Sequence, residues 1–168
     1  MNVILDIETD GFNPTVVHCI VAKDIDTNIV TVFDPNSMYS FKNWSKGVDK
    51  FIMHNGLSFD APVLNKLLDA EISPSKIIDT LILSQLFNPI REKGHGLKAW
   101  GEKLNMLKGG EGVNFSKYNQ AMLDYCKQDV EITHAVYKEL LKESKGFTKE
   151  SIDLEHDIRL IIDQQEKN

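Results

Sequence analysis

Acidic side chains recur in this sequence at positions where a strand or a helix would bring them together. Asp6 and Glu8 stand two residues apart in the apolar run that begins at Val3. Because side chains alternate along a strand, both carboxylates face one side, and Leu5 and Ile7 face a core on the other. Adjacent carboxylates repel each other unless a cation holds them, so the pair indicates a metal site. A solvated strand end is the structural alternative for the pair taken alone.

Two more acids stand on predicted helices. Asp60 follows a predicted strand-to-helix turn, where a carboxylate also stabilises the positive end of the helix dipole. Asp129 comes four residues after Tyr125, so a helix places the two side chains on one face. Taken alone, these signals have common structural explanations, a helix-start acid and an ordinary Tyr–Asp pair. Taken with Asp6 and Glu8, they form an ordered set whose oxygen ligands suit Mg²⁺ or Mn²⁺.

The elements that must position these acids are predicted from periodicity and turn residues. We predict strands over residues 3–8, 16–25, 29–33, 51–54 and 77–78, the first three as an antiparallel meander. We predict helices over residues 59–70, 80–87, 97–104, about 118–143 and from Thr148 or Ser151 onward. Asp79 is the predicted cap of the second helix, and glycines 109, 110 and 112 predict a flexible loop. The last helix is predicted to group four isoleucines on one face: Ile152, Ile158, Ile161 and Ile162.

Length and composition indicate one globular domain. The chain has 168 residues, of which 42% are hydrophobic and 26% charged, which excludes disordered and fibrous classes. A net charge of -6 argues against a protein that coats nucleic acid electrostatically, although residues 61–110 carry seven bases against five acids. No apolar run approaches the ~18 residues of a membrane span, and the early acid argues against a signal peptide. Cys19 and Cys126 have no metal or disulfide spacing, so we expect reduced thiols in an intracellular, cytoplasmic protein.

The acidic motifs, in this order, resemble those of the DnaQ-like, or DEDD, superfamily of 3′-5′ exonucleases. Residues 5–11 (LDIETDG) look like its first motif and residues 54–60 (HNGLSFD) like its second. Residues 125–129 (YCKQD) look like the tyrosine form of its third motif, because the histidine form needs His where this chain has Asp124. The resemblance implies an α/β, ribonuclease H-like fold, with a mixed sheet whose first three strands are antiparallel and which helices flank.

Further segments resemble the proofreading domain of podophage A-family replicative DNA polymerases. These are residues 78–84, 95–101 and 114–115, and residues 152–168 are similar to the segment where such polymerases pass into their polymerase region. The resemblance implies an exonuclease domain over residues 1–147 and a connecting helix over residues 148–168. The chain departs from the family in ending before a polymerase palm and in its compact region between the second and third motifs. A cut piece, a split gene product and a freestanding nuclease are the alternatives. The last helix would fold back on the domain, meet a polymerase subunit or meet a second copy.

The resemblance also implies phosphodiester hydrolysis with two divalent cations about 3.5–4 Å apart. The cations would be Mg²⁺, for which Mn²⁺ can substitute. Asp6 would bridge both ions. Glu8 and Asp129 would serve mainly the ion that activates the attacking water, and Asp60 would serve the leaving-group ion mainly through water. Tyr125 would orient the attacking water rather than act as a free base, because a phenol keeps its proton at neutral pH.

Three residues are expected to hold the terminal nucleotide: Thr9 through its backbone, and Asn55 and Phe59 through their side chains. Core packing is an open alternative for Phe59. We favour His95 as a structural histidine at a helix start over a phosphate contact. Five bases would either guide a single strand or form a solvated helix face: Arg91, Lys93, Lys98, Lys103 and Lys108.

The expected function is release of nucleoside monophosphates from the 3′ end of single-stranded or frayed DNA, in a proofreading role. The expected partners are that DNA end and a DNA polymerase region or subunit, with no membrane partner. A phage-encoded protein of this kind would work in the host cytoplasm. A DEDD-type exoribonuclease is one alternative, because these motifs do not read the 2′-hydroxyl. A non-catalytic structural or binding domain of a replication complex is the other, and the intact set of five site residues argues against it.

Overall fold

A five-stranded sheet forms the centre of the computed structural model, which describes residues 1–106 and 109–166. The strands are β1 (Asn2–Thr9), β2 (Val17–Asp24), β3 (Val30–Phe33), β4 (Lys50–Met53) and β5 (Ile77–Asp79). Their order is β3-β2-β1-β4-β5. The pairs β1–β2 and β2–β3 are antiparallel, and the pairs β1–β4 and β4–β5 are parallel. The predicted meander and mixed sheet are therefore confirmed.

Within the described residues, six α-helices follow or interrupt the strands. They are α1 (Phe41–Ser45), α2 (Asp60–Leu68), α3 (Thr80–Phe87), α4 (Leu97–Lys103), α5 (Gln120–Glu143) and α6 (Lys149–Glu166). Side-chain caps mark the first residues of α3 and α5. As predicted, the carboxylate of Asp79 accepts a hydrogen bond from the Leu81 amide, 2.9 Å away, at the start of α3. The α5 helix begins two residues later than predicted, because the side chain of Asn119 caps it by accepting from the Met122 amide.

The two faces of β1 pack into two different layers. Val3, Leu5 and Ile7 belong to a core cluster that includes residues of α1 and α2. Ile4 belongs to a second cluster that includes residues of β2, β4 and α5. Because side chains alternate along a strand, Asp6 continues the stripe that faces α5. The predicted separation of acids from core residues on this strand is confirmed.

The α6 helix folds back on the domain and covers the sheet edge at β5. The Asp79 amide donates a hydrogen bond to Nε2 of His156, 3.0 Å away. Ile152 and Leu160, spaced with His156 at four-residue intervals, pack against the core clusters. A side chain that satisfies an edge-strand amide in this way blocks pairing with another chain.

The four isoleucines predicted to share one face of α6 are divided between two faces in the structure. Ile158, Ile161 and Ile162 have 38%, 55% and 40% of their surface exposed, and only Ile152 of the predicted set packs inward. The helix is rotated because the hydrogen bond of His156 to β5 and the packing of Leu160 select the face that turns inward. No helix in the described ranges has the length and apolar character needed to cross a membrane.

Candidate active site

The first pair of carboxylates lies at the carboxyl end of β1. Asp6 is half-buried, and Glu8 is buried at 8% exposure. The pairing of β1 with β2 shifts register between Glu8 and Thr9, from Glu8 opposite Cys19 to Thr9 opposite Val17. Such a bulge redirects side chains and is common beside active sites.

Asp60 reaches the same place from the turn that joins β4 to α2. It is the first residue of α2 and is buried at 6% exposure. The backbone amide of Ile7 donates a hydrogen bond to the Asp60 carboxylate, which places Asp60 beside β1. The turn itself is tight: Asn55 has a left-handed φ of 63°, and a Cβ on Gly56 would lie 2.2 Å from the Cβ of Met53.

The long helix α5 carries the other two predicted catalytic residues, Tyr125 and Asp129. Asp129 is buried at 4% exposure and Tyr125 lies one turn before it. Between them, Cys126 is fully buried, and its Sγ lies 3.4 Å from both the backbone oxygen and Oδ2 of Asp6. This contact joins the middle of α5 directly to the acidic end of β1.

The negative charges of the three other predicted acids act on the carboxyl group of Asp6. Burial raises the pKa of the Asp6 carboxyl well above its ordinary value, and the negative charges of Asp60, Asp129 and Glu8 raise that pKa further. Burial, and then the charge of Asp79, raises the pKa of Asp60 to about 7. Both shifts have the sign expected when buried carboxylates share a region without a compensating cation.

The donor set fits a divalent cation. One ligand atom each from Asp6, Glu8 and Cys126 lie within 4.8 Å of one another. Burial raises the pKa of the Cys126 thiol well above its ordinary value, so the two carboxylates are the members of this group that can share a hard cation. Carboxylate oxygens are hard donors that suit Mg²⁺ or Mn²⁺, and a bound cation would remove the repulsion that raises these pKa values.

A glycine loop packs against Tyr125. Gly110 has φ +99°, and a Cβ there would lie 2.5 Å from Cε2 of Tyr125. The ring of Phe115 meets the Tyr125 ring edge-on at a centroid distance of 5.9 Å. The Gly109 amide donates to Oε1 of Gln128 at 3.0 Å, which ties the loop to α5. The sequence indicated only a flexible loop here, and the structure assigns Gly110 a close approach that orients the phenol.

The three predicted nucleotide contacts border the acids in different ways. Thr9 follows Glu8, is buried, and donates from Oγ1 to the Gly11 oxygen at 2.9 Å. Asn55 is exposed on the turn before Asp60. Phe59 is half-buried and packs against the core cluster beneath α2, so the packing alternative describes part of its ring.

Phe12 was not among the residues that the sequence analysis singled out, and it lies in the loop that follows the acidic pair. Its side chain is fully exposed, at 101% of the reference surface, in the loop between β1 and β2. Asp10 organises this loop by accepting hydrogen bonds from the Thr15 amide at 2.8 Å and the Val16 amide at 3.1 Å. The available signal was an aromatic residue within four positions of the acidic pair.

The basic stretch is largely engaged in structural contacts. Arg91 forms an ion pair with Glu143 and stacks 4.4 Å over the Trp100 ring, while Lys93 pairs with Glu102 at 3.1 Å. Lys103 also lies near Glu143 and over the Trp100 ring. Lys98 is exposed, and Lys108 lies outside the described residues. These contacts favour a structural role for Arg91, Lys93 and Lys103.

His95 is held at both ring nitrogens. Nδ1 lies 2.8 Å from Oγ of Ser84, and Nε2 lies 3.3 Å from the Pro89 oxygen. The favoured interpretation of this residue as a structural histidine near the start of α4 agrees with these contacts.

The relatives of this chain are polymerases much longer than it is. No family model matches the chain. The DNA-directed DNA polymerase of Escherichia phage T7 is 25% identical over 229 aligned residues, which cover 99% of this chain and 32% of the relative. The DNA-directed DNA polymerase of Enterobacteria phage T3 is 28% identical over 174 residues, which cover 70% of this chain and 25% of the relative. The chain thus spans a third or less of the length of these relatives.

A solved structure shares the fold. Escherichia coli RNase D, an exoribonuclease involved in structured RNA processing, matches with a TM-score of 0.67 at 19% identity, covering 94% of this chain and 44% of that one. The chain therefore shares the fold of this protein, and the predicted α/β, ribonuclease H-like fold class is confirmed.

Proposed function

We propose that this chain is a metal-dependent 3′-5′ exonuclease that removes nucleotides from single-stranded or frayed DNA ends. One observation carries the proposal: carboxylates from β1, α2 and α5 share one region, where the charges of Asp60, Asp129 and Glu8 raise the pKa of buried Asp6. Buried acids of like charge cost folding free energy, so a protein that gathers them has a functional use for the site.

The carboxylates hold divalent cations in this proposal, Mg²⁺ with Mn²⁺ able to substitute. Asp6, Glu8, Asp60 and Asp129 would hold the cations: Asp6 would be the shared ligand, Glu8 and Asp129 would serve the water side, and Asp60 would serve the leaving-group side. When bound, the cations lower the pKa of the attacking water and neutralise the charge that builds on the leaving 3′ oxygen.

The remaining residues orient the reactants. Tyr125, held by Gly110 and Phe115, presents its hydroxyl beside the acids to orient the attacking water. The Thr9 backbone and the side chain of Asn55 hold the terminal nucleotide, and the exposed part of Phe59 contacts it. The Phe12 ring stands in solvent near this end of β1 and offers a surface on which an unpaired base stacks.

DNA is the proposed substrate because both relatives with sequence similarity are DNA-directed DNA polymerases. The same relatives support a DNA polymerase region or subunit as partner, and a cytoplasmic site of action, in the host if a phage encodes the chain. An exoribonuclease is the second candidate, since RNase D shares the fold. The exonuclease domain is proposed to span residues 1–147, with residues 148–168 leading toward the polymerase partner.

A test uses 5′-labelled single-stranded DNA and an RNA of the same sequence, with Mg²⁺ and with chelator. We expect a ladder of shortened DNA that chelator abolishes, and slower shortening of RNA. Faster shortening of RNA would favour the exoribonuclease. No metal-dependent shortening of either substrate would contradict the proposal and leave a non-catalytic binding domain.

A further inference from the structure

The α6 helix contacts the turn that leads into Asp60, and the two residues in contact are 105 positions apart in the chain. Oγ of Ser58 donates a hydrogen bond to Oδ2 of Asp163, at 2.6 Å. Ser58 stands two residues before Asp60 and directly before Phe59, the residue at the N-cap of α2. The last turns of α6 therefore hold the segment that leads into the Asp60 carboxylate.

A second connection reaches the same turn through β5. Nε2 of His156 accepts from the Asp79 amide at 3.0 Å, while Nδ1 of the same ring lies 2.8 Å from the Ile152 oxygen. The carboxylate of Asp79 in turn accepts from the amides of Asn55 and Leu57, each at 3.0 Å. Asp79 is 1% exposed, so these bonds form away from competing water.

Backbone hydrogen bonds close the turn, from the Phe59 amide to the Asn55 oxygen and from the Ala61 amide to the Gly56 oxygen, but the turn lacks a side-chain cap for α2. The N-cap of α2 is Phe59, with φ -124° and ψ -69°, and its side chain makes no capping hydrogen bond. Asn55 holds a left-handed φ of 63°. A capping Ser or Asp would normally stabilise such a helix start by accepting a hydrogen bond from a free backbone amide. Here the support comes from Asp79 and from α6.

We infer that α6 is a positioning element of the active site, in which Ser58 and Asp163 set the placement of the metal ligand Asp60. The inference rests on the proposed function, since it treats Asp60 as a ligand. It assigns the C-terminal helix a part in the nuclease site itself, in addition to its cover over the β5 edge. Residues that orient a metal ligand typically change metal affinity or activity about 10–100-fold when they are removed.

The test is a double-mutant cycle in the full chain: Ser58→Ala, Asp163→Ala and both together. The readouts are kcat and KM on single-stranded DNA, and the Mn²⁺ affinity measured from the electron paramagnetic resonance signal of free Mn²⁺. We expect each single variant to lose about tenfold in Mn²⁺ affinity and in kcat at limiting Mn²⁺, with KM for DNA nearly unchanged. The double variant should lose no more than either single one, because all three lack the same hydrogen bond.

Two controls separate positioning from general stability. Asp163→Asn keeps an oxygen that accepts from the Ser58 hydroxyl, so it should retain wild-type Mn²⁺ affinity. Asp157→Ala removes an exposed acid from the same helix, and it should also behave as wild type.

Wild-type Mn²⁺ affinity and kcat in both single variants would overturn the inference. Losses that simply add in the double variant, or that Asp157→Ala reproduces, would also overturn it by showing a general structural effect. The Mn²⁺ affinity tests the inference without requiring that the chain be catalytically active. A wild-type chain that binds Mn²⁺ but cleaves nothing would thus contradict the proposed function and leave the inference to be judged on affinity alone.

Discussion

The thiol of Cys126 lies 3.4 Å from Oδ2 of Asp6, across a separation of 120 residues in the sequence. Because Cys126 is fully buried between β1 and α5, this contact sets how the helix lies over the strand. Tyr125 lies one position before Cys126 on α5, and Asp129 lies three positions after it, close to one turn of the helix. This contact therefore places the third motif, residues 125–129, against the first motif, residues 5–11.

Replacing Asp6 with Ala should abolish metal-dependent hydrolysis, because it removes the carboxylate that all three other acids surround. The fold should survive, since burial and like charges already oppose the ionised form of Asp6. Nuclease assays and thermal melts in chelator check the two effects. Asp26→Ala, on the exposed β2–β3 turn, is the matched control and should stay active. An active Asp6 variant would remove Asp6 from the site.

Replacing Tyr125 with Phe should slow hydrolysis about 10–100-fold while leaving Mn²⁺ affinity nearly intact, because the hydroxyl orients water and does not bind the cation. The ring contacts with Phe115 and Gly110 remain in this variant. Single-turnover rates and a Mn²⁺ titration give the comparison. An unchanged rate would mean that Tyr125 serves packing alone.

Replacing Gly110 with Ala should displace the Tyr125 ring, because the new Cβ would lie 2.5 Å from Cε2. We expect kcat to fall about tenfold and unfolding free energy to fall by about 1–2 kcal/mol. Gly112→Ala is the matched control: its φ is +77°, and nothing lies within 4 Å of the added Cβ. It should share the backbone cost and keep the activity. Equal kcat in both variants would argue that Gly110 does not orient Tyr125.

Divalent cation should stabilise the protein more at pH 8 than at pH 5. The pKa of Asp60 is about 7 in the folded protein and that of Asp6 is also raised, against about 3.9 for an unfolded Asp. The folded, metal-free protein therefore binds more protons than the unfolded chain between about pH 4 and 7, and its stability falls as pH rises through that window.

Cations compete with those protons for the carboxylates. The stabilisation that a bound cation adds to the folded protein therefore grows as pH rises. At about 100 times the Kd, Mn²⁺ should add about 2.7 kcal/mol, or roughly 5–10 °C in Tm, at pH 8. Thermal melts with Mn²⁺ and with chelator at the two pH values measure this, and Asp6→Ala should lose most of the shift. A Tm that does not respond to Mn²⁺ at pH 8 would contradict a cation site.

Local sequence rules anticipated most of the elements and the acids. Alternation in Val3–Glu8 identified a strand with carboxylates on one face, and four-residue spacing joined Tyr125 to Asp129. The cap at Asp79 was also foreseen, because these features depend on neighbours within one turn or one strand.

Contacts between distant segments were decided by the tertiary structure. The isoleucines of α6 form an apolar stripe in sequence, yet His156 and Leu160 turn that helix so that Ile158, Ile161 and Ile162 face water. Gly110 predicts flexibility by itself, and its role against Tyr125 exists only once the loop folds over α5.

The sequence by itself therefore determined which acids this protein has and which strand or helix presents each of them. The tertiary structure alone decided that Asp163 supports the turn before Asp60, that Cys126 touches Asp6, and that Arg91 is held by Glu143. The physical reason is that periodicity and capping act over a few residues. Helix rotation and ion pairing are set by the packing of elements brought together from far apart in the chain.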